Sequence, residues 1–140
     1  MSVINLKYLP DDFSIYQFER TCNLPATIFK APWYTVSRTT TELSVILPTN
    51  HSMKQQKDEI KNEEHGWRMF QVDAQMEFTL VGILASIVGP LKENNIPVFV
   101  VSTYDTDYIM VKKEKLALAI ETLNKKSNII VSDGRSVYDC

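Results

Sequence analysis

The stretch from Phe78 to Tyr108, FTLVGILASIVGPLKENNIPVFVVSTYDTDY, decides the fold. Leu80, Ile83, Leu84, Ile87, Val88 and Leu91 recur at helical spacing, so one face is apolar over about three turns. Asn94, Asn95 and Pro97 stop that helix, and Val98 to Val101 reads as the next strand. Two polar corners bound the unit, Thr79–Gly82 at the helix start and Ser102–Asp107 at the strand end. In a strand–helix–strand unit with a parallel crossover both corners lie on one edge of the sheet, where a small ligand can bridge them.

Downstream, Tyr108–Val111 reads as a strand, Glu114–Lys125 as a helix with Leu116, Ile120 and Leu123 inward, and Asn128–Val131 as a last strand. Upstream, Gly66 opens a strand over Trp67–Val72. The order is then β (67–75), α (80–94), β (97–104), β (107–111), α (114–125), β (128–131). This is the split βαβ pattern of an α+β, ferredoxin-like fold, βαββαβ, with an antiparallel sheet and helices on one face.

In the first half, Phe13–Phe18 alternates apolar and polar residues as a half-buried strand does. Cys22–Pro32 is broken by Pro25 and Pro32, with Leu24, Ile28 and Phe29 expected to pin it to the core. Trp33–Arg38 and Leu43–Leu47 read as strands joined by a Thr-rich reversal, Thr39–Glu42. The charged segment 49–66, with Met53 and Ile60 as its main apolar anchors, reads as an exposed helix or loop. It connects an incomplete first module, 1–66, to a second, 67–140.

The modules look like repeats. VSRTTTELSVI from Val36 can be laid over VSTYDTDYIMV from Val101 at a constant spacing of 65 residues, Ser37 on Ser102, Thr41 on Thr106 and Glu42 on Asp107. Chance likeness is the alternative, because hairpins reuse few residue types.

Composition narrows the function. A chain of 140 residues, 44% hydrophobic, can bury one core or two small ones. With 15 Lys+Arg against 17 Asp+Glu and no basic cluster, nucleic acid is not the expected partner. The longest apolar run, around Leu80–Val88, is too short to cross a bilayer, and no signal-peptide run is visible; a cytoplasmic, soluble chain is expected. Cys22 and Cys140 have no CxxC spacing and read as free thiols. There is no GxSxG, P-loop or GxGxxG, and His51 and His65 lack the companions a zinc site needs. Glu63-Glu64 reads as a solvated charge run. No catalytic residue, metal or cofactor is expected.

GWRMFQVDAQMEFTLVGILASIVGPLKENNIPVFVVSTYDTDYIMV, Gly66–Val111, closely resembles small tandem ACT-domain proteins related to the CASTOR arginine sensors. The run of a Trp-Arg strand, an F-x-L-x-G-I-L helix start and an S-T-Y-x-T-D-Y hairpin carries the resemblance, and PWYTVSRTTTELSVILP resembles the first module. The resemblance implies a regulatory protein, not an enzyme, that binds a free amino acid at an interface between modules.

The implied site joins the turn Thr79, Leu80, Val81, Gly82 and Ile83 to the hairpin end Ser102, Thr103, Tyr104, Thr106 and Asp107, closed by Ser37, Arg38 and Thr39 of a neighbouring first module. A helix N-terminus offers N–H donors to a carboxylate. Gly82 lets ligand atoms approach the backbone, and Thr103, Thr106 or Asp107 can accept from the ammonium. Each residue also has a plain structural reading: Gly82 easing helix packing, Ser102 and Thr106 satisfying turn backbone, Asp107 a solvated turn acid, Tyr104 packing the hairpin. Leu80 stands where the arginine sensors carry an acid for the guanidinium, which argues against arginine and for a neutral or smaller amino acid, or for none. A homodimer is expected from unpaired sheet edges, with a regulatory protein as a further partner. The alternative is a structural or interaction ACT module with no ligand.

Overall fold

The computed structural model describes residues 3–51, 54–73 and 82–139. They group into two compact units, one gathering the chain up to Pro10 with Arg68–Ser136, the other Asp11–Trp67 with the chain from Val137.

The first unit contains β1 (Ile4–Tyr8), the second half of β5 (Ile60–Val72), α1 (Ile83–Glu93), β6 (Phe99–Ser102), β7 (Asp107–Lys112), α2 (Leu116–Asn124) and β8 (Ile129–Asp133). Its strands run β6-β7-β5-β1-β8. β1 lies antiparallel to β5, Leu6 facing Val72, and parallel to β8, Ile4 facing Ile129. This corrects one expectation. The sheet is mixed, not antiparallel, because β1 enters between β5 and β8 and pairs parallel with β8. Five residues carry too little pattern to declare a strand, and β1 is defined by its two neighbours.

Ile87 and Leu91 of α1 and Ala119 and Leu123 of α2 are buried with Leu6, Phe70, Ile109 and Val111 of the sheet, while Ile83, Leu84, Leu116 and Ile120 flank them. Burying such side chains contributes about 1.5–3 kcal/mol apiece. The helix stops as its Asn-Asn sequence requires. Asn95 takes a left-handed φ of 57°, its N–H donates to Lys92 O at 3.0 Å, and Ile96 N–H donates to Leu91 O at 3.0 Å. These are the paired bonds of a Schellman ending, with buried Ile96 and Leu91 as its apolar pair and Pro97 preventing continuation.

The second unit contains β2 (Phe13–Phe18), a 3-10 turn at Ala26–Lys30, β3 (Thr35–Arg38), β4 (Leu43–Pro48), a 3-10 helix at Lys54–Glu59 and the first half of β5. Its strands run β5-β2-β4-β3, every neighbour antiparallel. Tyr16, Phe18, Ile28, Leu43, Val45 and Leu47 form its core, with Leu24 against it. Phe29 does not pin the segment, since it is 51% exposed and meets Tyr34 edge-on at 5.5 Å.

The charged segment before Gly66 is also corrected. Ile60–Gly66 is strand, because β2 pairs with it (Gln17 facing Asn62, Tyr16 facing Glu63), and the Asn62 amide donates to Gln17 Oε1 at 2.7 Å. Charged residues suit an outer strand, where they discourage pairing with further chains. Gly66, at φ 76°, supplies the left-handed residue of a bulge between the pairs Phe13–Trp67 and Ile15–Glu64.

The repeat is one residue out of the sequence register. Arg38 faces Leu43 across the first hairpin and Ser102 faces Asp107 across the second. The turns 39–42 and 103–106 therefore superpose at a spacing of 64 (Thr39 to Thr103). Ser102 answers to Arg38 and Asp107 to Leu43. The spacing of 65 matched residue types, but a slip of one exchanges the faces of a strand, so pairing decides.

Candidate functional site

β6 runs antiparallel to β7, Ser102 facing Asp107, and the turn between them reaches the end of β5 through the Thr106 hydroxyl on Val72 O, so the ends of β5 and β6 lie together in the first unit. α1 has Gly82 as its N-cap, at φ 95° and ψ −5°. Thr79, Leu80 and Val81 lie outside the described residues. Gly82 is exposed, and nothing described lies within 4 Å of where a Cβ would sit. Its left-handed backbone is thus a sufficient reason for glycine, without a ligand. Its carbonyl accepts from Ser86 N–H and from Ser86 Oγ, each at 2.8 Å. Ile83 packs against the core.

The hairpin end is internally bonded. Thr103 N–H and Oγ1 both donate to Thr106 O, at 2.8 and 3.1 Å. Thr106 Oγ1 donates to Val72 O at 2.7 Å, tying the turn to the end of β5. These two hydroxyls serve the backbone. Tyr104 stands at the tip, 84% exposed, and Ser102 is exposed on β6.

Asp107 differs from its neighbours. It is 6% exposed, and no hydrogen bond or ion pair engages its carboxylate among the described residues. Its carboxylate oxygens are nevertheless not among the fully buried atoms that lack a partner, so they keep some contact with solvent. A ligand that excluded this remaining water would cost the carboxylate several kcal/mol unless it supplied a donor of its own. An ammonium or guanidinium would do so.

Ser37, Arg38 and Thr39 lie in the second unit, at the end of β3 and the start of its turn. Arg38 Nη2 donates to Cys22 O at 2.6 Å. The Cys22 thiol donates to Glu59 Oε2 at 2.9 Å. Burial first, then this hydrogen bond and the Glu59 charge, push the thiol up to about 11, with Arg38 pulling the other way.

One constellation escaped the sequence reading. Ser14 Oγ meets His65 Nδ1 at 2.7 Å, and His65 Nε2 meets Glu63 Oε1 at 2.8 Å, all within the second unit. Residues 51 apart in sequence carry no local signal for such a chain. It is not a nucleophile's relay, because Ser14 is wholly buried and shares a second bond with Thr49 Oγ1 at 2.8 Å. No group of three metal-ligating side chains occurs among the described residues, nor does a helix long and apolar enough to cross a membrane.

Residues 62–125 match the family model of the ACT domain. It is similar to the human protein CASTOR3P, 42% identical over 53 residues that make 38% of this chain and 32% of that protein. It is also similar to the bovine cytosolic arginine sensor for mTORC1 subunit 1, 38% identical over 47 residues, 34% of this chain and 14% of that one. The chain thus spans less than a third of these relatives. Among solved structures, a protein of Agobacterium tumefaciens matches with a TM-score of 0.81 at 24% identity, covering 96% of this chain and 98% of that one. The ligand-free regulatory subunit of aspartate kinase from Thermus thermophilus matches at 0.61 and 8% identity, covering 89% and 98%. These likenesses place the fold among α+β, ACT-like ferredoxin folds with a mixed sheet and two helices.

Proposed function

We propose that this ACT-domain protein is a non-catalytic, amino-acid-binding regulator whose two units act as tandem ACT modules. The ligand sits at a module interface, between the Thr79–Ile83 turn and the Ser102–Asp107 hairpin end, closed by Ser37–Thr39 of a neighbouring first module. One observation carries this reading: Asp107 is only 6% exposed, and no hydrogen bond or ion pair engages its carboxylate among the described residues. It would accept the ligand's cationic group, while backbone N–H groups at the start of α1 would receive its carboxylate. The names of the similar proteins, sensors and a kinase regulatory subunit, agree with regulation rather than chemistry. Leu80 favours a ligand smaller or less charged than arginine. A cytoplasmic homodimer with a regulatory protein partner completes the proposal, motivated by β6 and β8 at the ends of the first unit's strand order.

A thermal-shift screen against the common amino acids tests it, because a ligand that prefers the native state raises the melting temperature by mass action. Selective stabilisation that is lost in Asp107→Asn is the expected result. If no amino acid stabilises the protein, the ligand-free interaction module is the better reading. The prior commitment of the Thr103 and Thr106 hydroxyls favours that second reading.

A further inference from the structure

We propose that the second unit carries its own binding pocket, for a small carboxylate with an apolar body. A cavity of about 390 Å³ in the first unit, lined by Val88, Lys92, Asn95, Ile96, Pro97 and Val98, opens at the far end of α1, with Lys92 and Asn95 as its polar side chains. The second unit's cavity differs. It measures about 210 Å³ and is lined by Asn23, Leu24, Phe29, Val36 and Arg38. That is below the ~300–1,000 Å³ of sites for drug-sized ligands, so its occupant is small.

Its place in the fold corresponds to the Asp107 edge of the first unit. It lies between the chain that follows the unit's first strand, β2, and the end of its second strand, β3. The charge at that place is reversed. Arg38 stands where the other hairpin has Ser102, and Leu43 where it has Asp107. A guanidinium replaces a hydroxyl at the rim, and an apolar side chain replaces the buried acid.

The guanidinium is also positioned. Nη2 is tethered to Cys22 O at 2.6 Å, and no other hydrogen bond or ion pair engages Arg38 among the described residues. The nearby Glu59 carboxylate accepts the Cys22 thiol. The remaining N–H groups of Arg38 form the planar fork that takes a carboxylate in two parallel bonds. Opposite it, Leu24 and Val36 rest on the unit's core, and Phe29 is held edge-on by Tyr34 at 5.5 Å, which limits the entropy cost of using it as a wall. A single positive charge beside apolar walls suits a monocarboxylate better than a phosphate dianion.

Amide chemical shifts of the 15N-labelled full chain, followed during titration with 4-methylpentanoate, 4-methylpentan-1-ol and 4-methylpentylammonium, test the proposal. Saturable shifts centred on Asn23, Leu24, Val36 and Arg38 are expected with the carboxylate alone. Arg38→Gln should weaken binding at least tenfold with the circular dichroism unchanged, Arg38→Lys should lose less, and Asp107→Asn should have no effect. The last variant separates this pocket from the Asp107 site, so either proposal can fail alone. Absence of saturable shifts at millimolar carboxylate overturns the inference. So do equal shifts with the ammonium, or parent affinity in a folded Arg38→Gln.

Discussion

Thr39 and Thr103 hold the same place in two hairpin turns. Each donates its backbone N–H to the carbonyl three residues on, Thr39 to Glu42 O at 2.9 Å and Thr103 to Thr106 O at 2.8 Å. Each also directs its hydroxyl at that same carbonyl, at 3.4 and 3.1 Å. Thr39 Oγ1 further accepts from the N–H groups of Glu42 and Thr41, at 3.0 and 3.2 Å, the local side-chain bonding that makes threonine a turn residue. Thr39→Val should therefore destabilise the protein by about 1 kcal/mol, and Thr103→Val by somewhat less. Urea unfolding measures both. Equal stability in Thr39→Val would mean these bonds exchange freely with water.

The same superposition sets Leu43 against Asp107, both buried at the first position of their strands. If Asp107 is kept for a ligand and not for the fold, Asp107→Leu should raise ligand-free stability by about 1–3 kcal/mol, because an apolar side chain gains from burial at that position. It should also abolish amino-acid stabilisation. A destabilised but well-packed Asp107→Leu would show that the carboxylate is structural.

Gly82 offers room but not backbone freedom. A Cβ would meet nothing described within 4 Å, yet φ at 95° is strained for any L side chain. Gly82→Ala should cost about 1–2 kcal/mol through the backbone alone. Thermal denaturation without added ligand reads that cost, and a neutral outcome would leave close ligand approach as the reason for glycine.

Asn95 is the counterpart at the other end of α1. Asn95→Gly should be neutral or slightly stabilising, because glycine suits the left-handed ending better, whereas Asn95→Val should cost about 1–2 kcal/mol. Chemical denaturation of the pair distinguishes backbone strain from a loss of side-chain contact.

Cys22 provides a pH test. Its thiol is raised from 9.0 to about 11, so the folded state holds the proton more tightly than the unfolded chain. The stability this contributes is complete below pH 9 and is lost as the pH climbs through about 11. Iodoacetamide should modify Cys22 slowly near pH 8, with the terminal Cys140 distinguished by peptide mass mapping. Glu59→Gln should speed the reaction by removing the carboxylate that holds the thiol proton, and an unchanged rate would assign the shift to burial alone.

The apolar spacing of Ile83, Leu84, Ile87 and Leu91 determined α1 by itself, because a helix presents every third or fourth residue to one side whatever it packs against. Asn95 and Pro97 likewise determined where it stops. The hairpins at β3–β4 and β6–β7 were legible from β-branched runs around Thr-rich reversals. Strand partnership was not legible. β1 became a strand by entering between β5 and β8, and Ile60–Gly66 by pairing with β2, since backbone hydrogen bonds recognise a neighbour and not a side-chain pattern. The repeat register followed the same rule, moving from 65 to 64 because cross-strand pairing counts positions where the eye counts letters. Asp107 and Arg38 were visible in the sequence as candidates, but burial made one an unpaired acid and a 2.6 Å tether made the other a positioned cation. Those properties belong to the surroundings of a side chain, which only the folded chain supplies.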